Sequence, residues 1–298
     1  MTFIKVFHNP TAGEAEHSKE KLVRKIKAAG FDCSYSSTKR PINEKRIPAK
    51  TDIIAIAGGD GTIRRLAEYF CTENILTKRP PIGLLPWGTA NNIATTLGVT
   101  GTPEEIMERW KVGEAQNFDI GKIHGLKENH FFLEGFGFGV FPRLIKKMRD
   151  RKSKTNDSET ELHIALKILH EIIENYKPKE CHIVIDDVEY TGKFLLVEVM
   201  NIRSIGPNLN ISPTGHSGDG EFEVILISET ERDALAQYVL DRLEHGKETP
   251  FFYTAIKAKK LKVSWAGKLI HVDDSLITLD KFQPLEVEIL RDVLHFLV

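Results

Sequence analysis

The most constraining feature of the sequence is the stretch from Asp52 to Thr62, which reads DIIAIAGGDGT. Its first half is a continuous apolar run with β-branched residues, a pattern typical of a strand buried on both faces. The run ends in Gly-Gly-Asp-Gly, and Thr62 to Phe70 then follows the period of an amphipathic helix. This order of strand, glycine-rich turn and helix predicts a phosphate-binding turn, because glycine lets the backbone approach an anion and the first helical amides point towards it.

Asp60 is the unusual member of this turn. A carboxylate beside a phosphate is repulsive unless a cation lies between them or the carboxyl group accepts a proton. We therefore expect a nucleotide phosphate as the ligand, with or without a divalent ion. The alternative is an ordinary strand-to-helix turn, which would be the default interpretation of a glycine-rich turn alone.

The bulk composition excludes several classes of protein. The chain has 298 residues and an apolar fraction of 41%, which is typical of a globular protein. Its net charge of -1 shows no excess of basic residues of the kind that a nucleic-acid-binding protein would have. Its three cysteines are far apart and fit neither a disulfide framework nor a metal motif, which favours a reducing, cytoplasmic setting. The sequence shows no signal-peptide pattern and no apolar run of membrane-spanning length. If the substrate is a lipid, we expect transient contact with a membrane surface.

The first part of the chain alternates predicted strands with predicted helices, which indicates a parallel sheet. Ligands bind at the carboxyl ends of such strands. Four polar segments follow predicted strands and fall at that edge: His8–Gly13, Thr38, Gly58–Thr62 and Pro86–Asn92. Asn9 and Thr11 either cap the helix predicted over 14–29 or contact the ligand, and the sequence leaves both options open.

From about Asn117 the pattern changes to closely spaced strands, which predicts a mostly antiparallel β domain. One strand is predicted over 130–140, a polar loop over 149–160, and helices over 161–176 and 232–243. The last two strands are predicted over 285–290 and 293–298, with a tight turn at 291–292.

Five motifs in this order resemble the catalytic domain shared by diacylglycerol kinases, sphingosine kinases and the bacterial soluble lipid kinases. They are Asn-Pro-x-x-Gly at 9–13, Gly-Gly-Asp-Gly-Thr at 58–62, Gly-Thr-x-Asn at 88–91, Asp-Gly at 219–220 and an aspartate-bearing hairpin at 273. The resemblance implies an α/β domain with a parallel sheet, of the NAD kinase and diacylglycerol kinase type, followed by a β-sandwich domain. We predict the first domain over 1–122 plus about 285–298, and the β-rich substrate domain over 123–284.

The resemblance also implies roles for individual residues. The positions that match ATP-contacting residues are Asn9, Pro10, Thr11, Ala12, Gly13, Thr38, Gly58, Gly59, Asp60, Gly61, Thr62 and Thr89. Asp60 would act through Mg²⁺ or through ordered polar contacts near the phosphates. Asp219 would hold a structural Mg²⁺, with backbone carbonyls near His216 and Glu221 completing the site.

The sequence departs from the family pattern at four places. Where the family usually has Asp-Gly-Glu, with the glutamate as candidate general base, this chain has Asp273-Asp274-Ser275. A serine cannot accept that proton at neutral pH, so either aspartate substitutes, the substrate differs, or the protein is catalytically weak. Arg64-Arg65 replace Asn-Glu and either reach a phosphate or form a solvated helix face. Asn92 replaces an aspartate, and Gly218 replaces the acidic residue before Asp219, which would weaken the Mg²⁺ site.

Three functions follow from these observations. The first is an ATP- and Mg²⁺-dependent lipid kinase of phospholipid biosynthesis, which phosphorylates a hydroxyl of diacylglycerol or a related lipid with Asp60, Asp273 or Asp274 as catalytic residues. The second is a NAD kinase, which shares Gly-Gly-Asp-Gly but would show an Asn-Asn-Glu motif where this chain continues from Asn92 to Ile93. The third is a nucleotide-binding or regulatory protein that has lost its general base, as Ser275 suggests. A homodimer is compatible with each.

Overall fold

The protein is described here from a computed structural model. The structure describes residues 1–10, 18–40, 42, 47–72, 79–127, 130–151, 157–280 and 283–298. The chain divides into two compact units, one formed by 1–118 with 292–298 and the other by 119–291. The sequence prediction placed these divisions at 122 and at about 285.

The first unit is a parallel sheet with helices between its strands. Its elements are β1 (Phe3–His8), α1 (Lys19–Ala28), β2 (Asp32–Ser37), β3 (Ile53–Gly58), α2 (Asp60–Thr72), β4 (Ile82–Pro86), α3 (Asn92–Thr96) and α4 (Pro103–Val112). The strand order is β2-β1-β3-β4, and each neighbouring pair is parallel. All six residues of β1 and of β3 are buried, as expected for central strands covered on both faces.

Capping explains where two helices of this unit begin. The Ser18 side chain accepts a hydrogen bond from the Lys21 amide at the start of α1. Thr102 and Glu105 form a capping box at the start of α4, with Pro103 in its first turn. The parallel order of β1, β3 and β4 places the carboxyl ends of all three strands at one edge.

The second unit is mostly antiparallel. Its elements are β5 (Ala115–His124, which begins in the first unit), β6 (His130–Phe132), β7 (Gly135–Gly139), α5 (Val140–Asp150), α6 (Ser158–Asn175), β8 (Lys179–Ile185), β9 (Val188–Met200), β10 (Ser204–Ile205), β11 (Leu209–Asn210), β12 (Phe222–Ser228), α7 (Arg232–His245), β13 (Thr254–Ala258), β14 (Lys260–Trp265), β15 (Leu269–Val272), β16 (Ser275–Thr278) and β17 (Leu285–Leu297). The strand pairs that involve β7, β8, β9, β12, β13, β14, β15 and β16 are all antiparallel.

Strand β12 lies between the two hydrophobic cores of this unit. Phe222, Val224 and Leu226 belong to the core formed by the strands. Ile225 and Ile227 alternate with them and belong to the core under α5, α6 and α7. The period-2 pattern of β12 therefore buries both faces of the strand.

These observations confirm the predicted fold class, an α/β domain with parallel strands followed by a β-rich domain. Some element predictions were wrong, and some elements were not predicted. The strand predicted over 130–140 is two strands, β6 and β7. Helix α5, which begins at Val140, was not predicted, and only a loop from 149 onwards was expected there. The final two strands are one continuous strand, β17, in which Asp292 adopts a φ of 60° without ending the strand. Strand β13 was not predicted.

Candidate functional site

The turn after β3 contains two glycines, Gly58 and Gly59, that have no room for a side chain. A Cβ placed on Gly58 would lie 2.6 Å from Thr62 Oγ1 and 3.3 Å from Asn9 Cβ. The Thr62 amide donates to the Gly59 carbonyl at 2.8 Å, and the Asn9 amide donates to the Ala57 carbonyl at 2.9 Å. Asn9 therefore lies directly beside the glycine-rich turn, as the sequence predicted for residues at one sheet edge.

The turn after β4 contacts the turn after β3 through backbone atoms. A Cβ on Gly88 would lie 2.4 Å from the Gly59 Cα, and a Cβ on Gly59 would lie 2.8 Å from the Gly88 Cα. Both positions therefore require glycine. The 58–62 and 88–91 motifs, which are 26 or more residues apart in sequence, form one continuous backbone surface.

Asn91 closes the second of these turns with its side chain. Its Oδ1 accepts from the Gly88 amide at 2.9 Å, and its Nδ2 donates to the carbonyls of Gly88 at 2.9 Å and Pro86 at 3.2 Å. Asn91 adopts a φ of 53°, a left-handed conformation that asparagine tolerates better than most residues. Thr89 is exposed on this turn.

Asp60 joins the two turns through its carboxylate. Oδ2 accepts from the Asn92 amide at 3.0 Å, and Oδ1 accepts from the Ile93 amide at 3.1 Å. These are first-turn amides of α3, which have no intrahelical partner. Backbone N–H groups thus stabilise the negative charge that the sequence analysis found unusual beside a phosphate.

Thr38 lies at the same edge, after β2. Its amide donates to the His8 carbonyl at 2.9 Å, and its own carbonyl accepts from Arg65 Nη1 at 2.8 Å. Its hydroxyl is buried and has no hydrogen-bond partner among the described residues. Arg65 therefore braces the Thr38 segment, while Arg64 Nε lies 3.5 Å from Glu68 on the same helix.

Of the remaining residues predicted at this edge, Pro10 and Gly61 are described by the structure. Pro10 is exposed next to Asn9, and Gly61 is an exposed residue of α2 with open space around its Cα. Thr11, Ala12 and Gly13 lie outside the described residues.

In the second unit, Asp273 and Asp274 form the turn between β15 and β16, but their surroundings are different. Asp273 is buried, and its carboxylate accepts backbone hydrogen bonds from Leu133 at 3.0 Å, Glu134 at 2.8 Å and Gly135 at 3.3 Å. Asp274 is exposed, and the Ser275 hydroxyl lies 3.4 Å from its Oδ1. Asp273 is therefore held in place by the backbone, whereas the carboxylate of Asp274 faces solvent.

A buried acid–imidazole pair lies directly behind this turn. His271 Nε2 is 2.9 Å from Glu198 Oε1 and 3.0 Å from Oε2, and His271 Nδ1 donates to the Asp273 carbonyl at 2.8 Å. Burial raises the pKa of Glu198. Burial alone would lower the pKa of His271, but the Glu198 carboxylate and Asp273 together outweigh burial and raise it. A Cβ on Gly137 would lie 2.0 Å from Glu198 Oε2, so the neighbouring strand requires glycine to admit this carboxylate.

At the 216–221 turn, the oxygen atoms of Asp219 and His216 that were predicted to bind magnesium already accept hydrogen bonds. Asp219 Oδ1 accepts from the Glu221 amide at 3.1 Å, and its Oδ2 accepts from Lys257 Nζ at 2.8 Å. The His216 carbonyl accepts from the Asp219 amide at 3.4 Å. Among the described residues, no group of three or more His, Cys, Asp or Glu side chains is arranged to hold a metal. We therefore derive no chemical step through a metal at this turn.

A buried polar network links the two turns of the second unit. Asp119 accepts from the Gly220 amide at 2.8 Å, and its amide donates to the Ser217 carbonyl at 2.5 Å. Asn201 Nδ2 donates to the carbonyls of Asp119 and Leu133, both at 2.8 Å. Leu133 in turn donates to Asp273. Sequence reasoning missed Asp119, Asn201, Glu198 and His271, and their only signal was a polar residue within an apolar strand pattern.

The comparisons with known proteins cover both units. The family described as "Diacylglycerol kinase catalytic domain" matches residues 4–123. The family described as "YegS C-terminal NAD kinase beta sandwich-like domain" matches residues 147–289. Residues 4–123 are therefore similar to the diacylglycerol kinase catalytic-domain family, and residues 147–289 to the YegS C-terminal family. The resemblance inferred from the five motifs is thereby confirmed.

Relatives with similar sequences extend over most of the chain. A protein named diacylglycerol kinase from Bacillus subtilis (strain 168) is 27% identical over 284 residues, which cover 90% of this chain and 88% of that protein. The diacylglycerol kinase of Staphylococcus aureus (strain MRSA252) is 24% identical over 273 residues, which cover 87% of this chain and 81% of that protein. The names of these relatives support a family of lipid kinases.

A solved structure shows the same fold. The crystal structure of a diacylglycerol kinase from Bacillus anthracis str. Sterne matches with a TM-score of 0.71 at 22% identity, covering 99% of this chain and 96% of that one. No helix among the described residues is long and apolar enough to cross a membrane.

Proposed function

We propose that this protein transfers the γ-phosphoryl group of ATP to the hydroxyl of diacylglycerol or a related lipid alcohol. The observation that carries the proposal is the backbone contact between Gly59 and Gly88 at the carboxyl ends of β3 and β4. Two turns whose backbones touch at glycines, beside the start of α2, are suited to bind a polyphosphate. The names of the relatives supply the lipid acceptor class.

In this proposal, ATP binds as its magnesium complex, so that the substrate itself supplies the ion. Both Asp60 oxygens already accept backbone amides, and Asp60 acts by holding the 88–93 segment against the 58–62 turn. Phosphoryl transfer is promoted chiefly by positioning and by charge stabilisation, and a rigid pair of turns supplies positioning. Thr38, with its buried hydroxyl, is a further candidate contact at this edge.

On the acceptor side, we propose that Asp274 takes the proton of the lipid hydroxyl and that Asp273 is a positioning residue. The Asp273 carboxylate is buried and bound to backbone amides, whereas that of Asp274 is exposed at the tip of the same turn. A general base must reach the proton that it removes, and only Asp274 presents its carboxylate to solvent. Asp274 would then supply the function of the glutamate that the family has at position 275.

The test is a radiolabelled ATP assay with diacylglycerol in mixed micelles. Asp60→Asn should lower kcat/KM by at least about tenfold, because asparagine offers one acceptor oxygen to two amides. Asp274→Asn should lower kcat by about 10²- to 10⁴-fold with little change in the affinity for ATP, since it removes a proton acceptor and no nucleotide contact. Asp187→Asn is the matched control, because Asp187 is an exposed aspartate at the tip of another hairpin.

Two results would contradict the proposal. ATP binding without turnover on a broad panel of lipid alcohols would identify a nucleotide-binding protein that has lost its base, and Ser275→Glu restoring turnover would confirm that alternative. Phosphorylation of NAD instead of any lipid would assign the chain to NAD kinase chemistry.

A further inference from the structure

The 216–221 turn is held by a positive charge that belongs to the chain itself. Lys257 Nζ lies 2.8 Å from Asp219 Oδ2, and Lys259 Nζ lies 3.9 Å from Glu221 Oε1. Lys257 is in β13, which pairs antiparallel with β12 so that Lys257 is opposite Glu223. The pairing of β13 with β12 therefore places the Lys257 ammonium group next to the turn that immediately precedes β12.

Two of the oxygen groups predicted to bind a divalent ion at this turn, the Asp219 carboxylate and the His216 carbonyl, already accept hydrogen bonds. Besides the lysine, Asp219 accepts the Glu221 amide, and the His216 carbonyl accepts the Asp219 amide. Position 218 is glycine, so there is no second carboxylate beside Asp219. Mg²⁺ requires an octahedral set of oxygen ligands and gives up its water reluctantly. Here it would have to displace the Lys257 ammonium group from the Asp219 carboxylate.

We propose that Lys257 is the cation of this turn and that the folded chain holds no divalent metal there. The ammonium group neutralises Asp219 and fixes the turn, whose Gly220 amide and Ser217 carbonyl are hydrogen-bonded to Asp119. The lysine is part of the chain, so the turn remains ordered when free divalent ions are removed. This proposal concerns the architecture of the second unit and does not depend on the proposed kinase activity.

The first test is a double-mutant cycle on thermal stability, measured without nucleotide in excess EDTA. Lys257→Met and Asp219→Asn should each lower Tm by about 1–3 °C, because the pair is partly exposed. The double variant should lose about as much as either single variant, since both changes remove the same interaction. Lys259→Met is the matched control and should leave Tm nearly unchanged, because the Lys259 ammonium group is 3.9 Å from Glu221 and more exposed than that of Lys257. Fully additive losses in the double variant would overturn the proposal.

The second test counts bound metal directly with Mn²⁺ as the probe. Electron paramagnetic resonance titration of the nucleotide-free protein should give the same number of bound Mn²⁺ ions for the wild type and for Asp219→Asn. One ion fewer on Asp219→Asn would show that Asp219 holds a metal and would overturn the proposal. Neither readout uses phosphoryl transfer, so failure here is distinguishable from failure of the proposed function.

Discussion

At the scale of single residues, Glu198 and His271 are unusual because two titratable groups are buried together with one proton to share. His271 is 1% exposed and Glu198 0%. A buried carboxylate without a proton or a cationic partner is strongly destabilising. The pair therefore keeps one proton in the folded state, and this proton also fixes the imidazole that donates to the Asp273 carbonyl.

This pair predicts a pH dependence of stability. The ordinary pKa values are 4.5 for Glu198 and 6.5 for His271, and both are raised in the folded protein. Above pH 6.5 the unfolded chain has released the proton that the folded pair retains. Stability from the pair is therefore complete below that pH and is lost as pH rises, by up to about 1.4 kcal/mol per pH unit.

Urea unfolding of the wild type and of the Glu198→Gln/His271→Gln variant, from about pH 6.5 to pH 9, measures this contribution. The wild type should lose stability more steeply than the variant. His295→Gln is the control, because His295 pairs with Asp292 at the surface. Parallel curves for the wild type and the double variant would refute the shared proton.

At the scale of elements, the two glycine-bearing turns of the first unit depend on each other. Gly88→Ala would place a methyl group 2.4 Å from the Gly59 Cα, and neither backbone can move without moving the strand or helix to which it belongs. We expect a loss of about 1–3 kcal/mol in stability and a weaker affinity for ATP.

Chemical unfolding and calorimetric ATP titration check this expectation. Thr95→Ala, an exposed substitution in α3, should leave both quantities unchanged. Wild-type stability in Gly88→Ala would show that the turns do not contact each other as described.

The elements also show where sequence reasoning succeeds and fails. The strand, turn and helix at 53–72 were predictable because every signal in them is local: an apolar run, glycines and an amphipathic period. Helix α5 was missed because it begins directly after β7, where Gly139 turns the chain with a φ of 100° and no polar linker intervenes.

The contacts of the 273–274 and 216–221 turns could not be predicted from the sequence, for a different reason. The Asp273 carboxylate binds amides 138 to 140 positions away, and Lys257 reaches Asp219 across 38 positions. Nothing in the local sequence distinguishes a bound aspartate from an exposed one such as Asp274. The motifs therefore identified the candidate turns, but the state of each carboxylate depends on the tertiary fold.

At the scale of the whole molecule, β17 contributes to both units. Its residues 285–288 pair antiparallel with β14, and Phe296 and Leu297 pair in parallel with β4. Phe296 is fully buried, with its ring 5.1 Å from that of Phe118. The end of the strand thereby completes the sheet of the first unit.

Phe296→Ala should therefore destabilise the first unit by about 3–5 kcal/mol, because it removes a buried aromatic ring and leaves a cavity. Hydrogen exchange followed by mass spectrometry should show faster exchange in β4, next to the altered strand. Phe252→Ala is the control, since Phe252 is 98% exposed. Unchanged exchange in β4 would contradict the role given to this strand.

The position of β17 has a consequence for how the protein is made. A ribosome releases residues 1–118 first, yet their sheet lacks the strand beside β4 until residues 292–298 have emerged. The edge of β4 stays open to pairing with other chains during that interval. We therefore expect the nascent first unit to depend on chaperones or on rapid completion of synthesis, with the second unit free to fold before it.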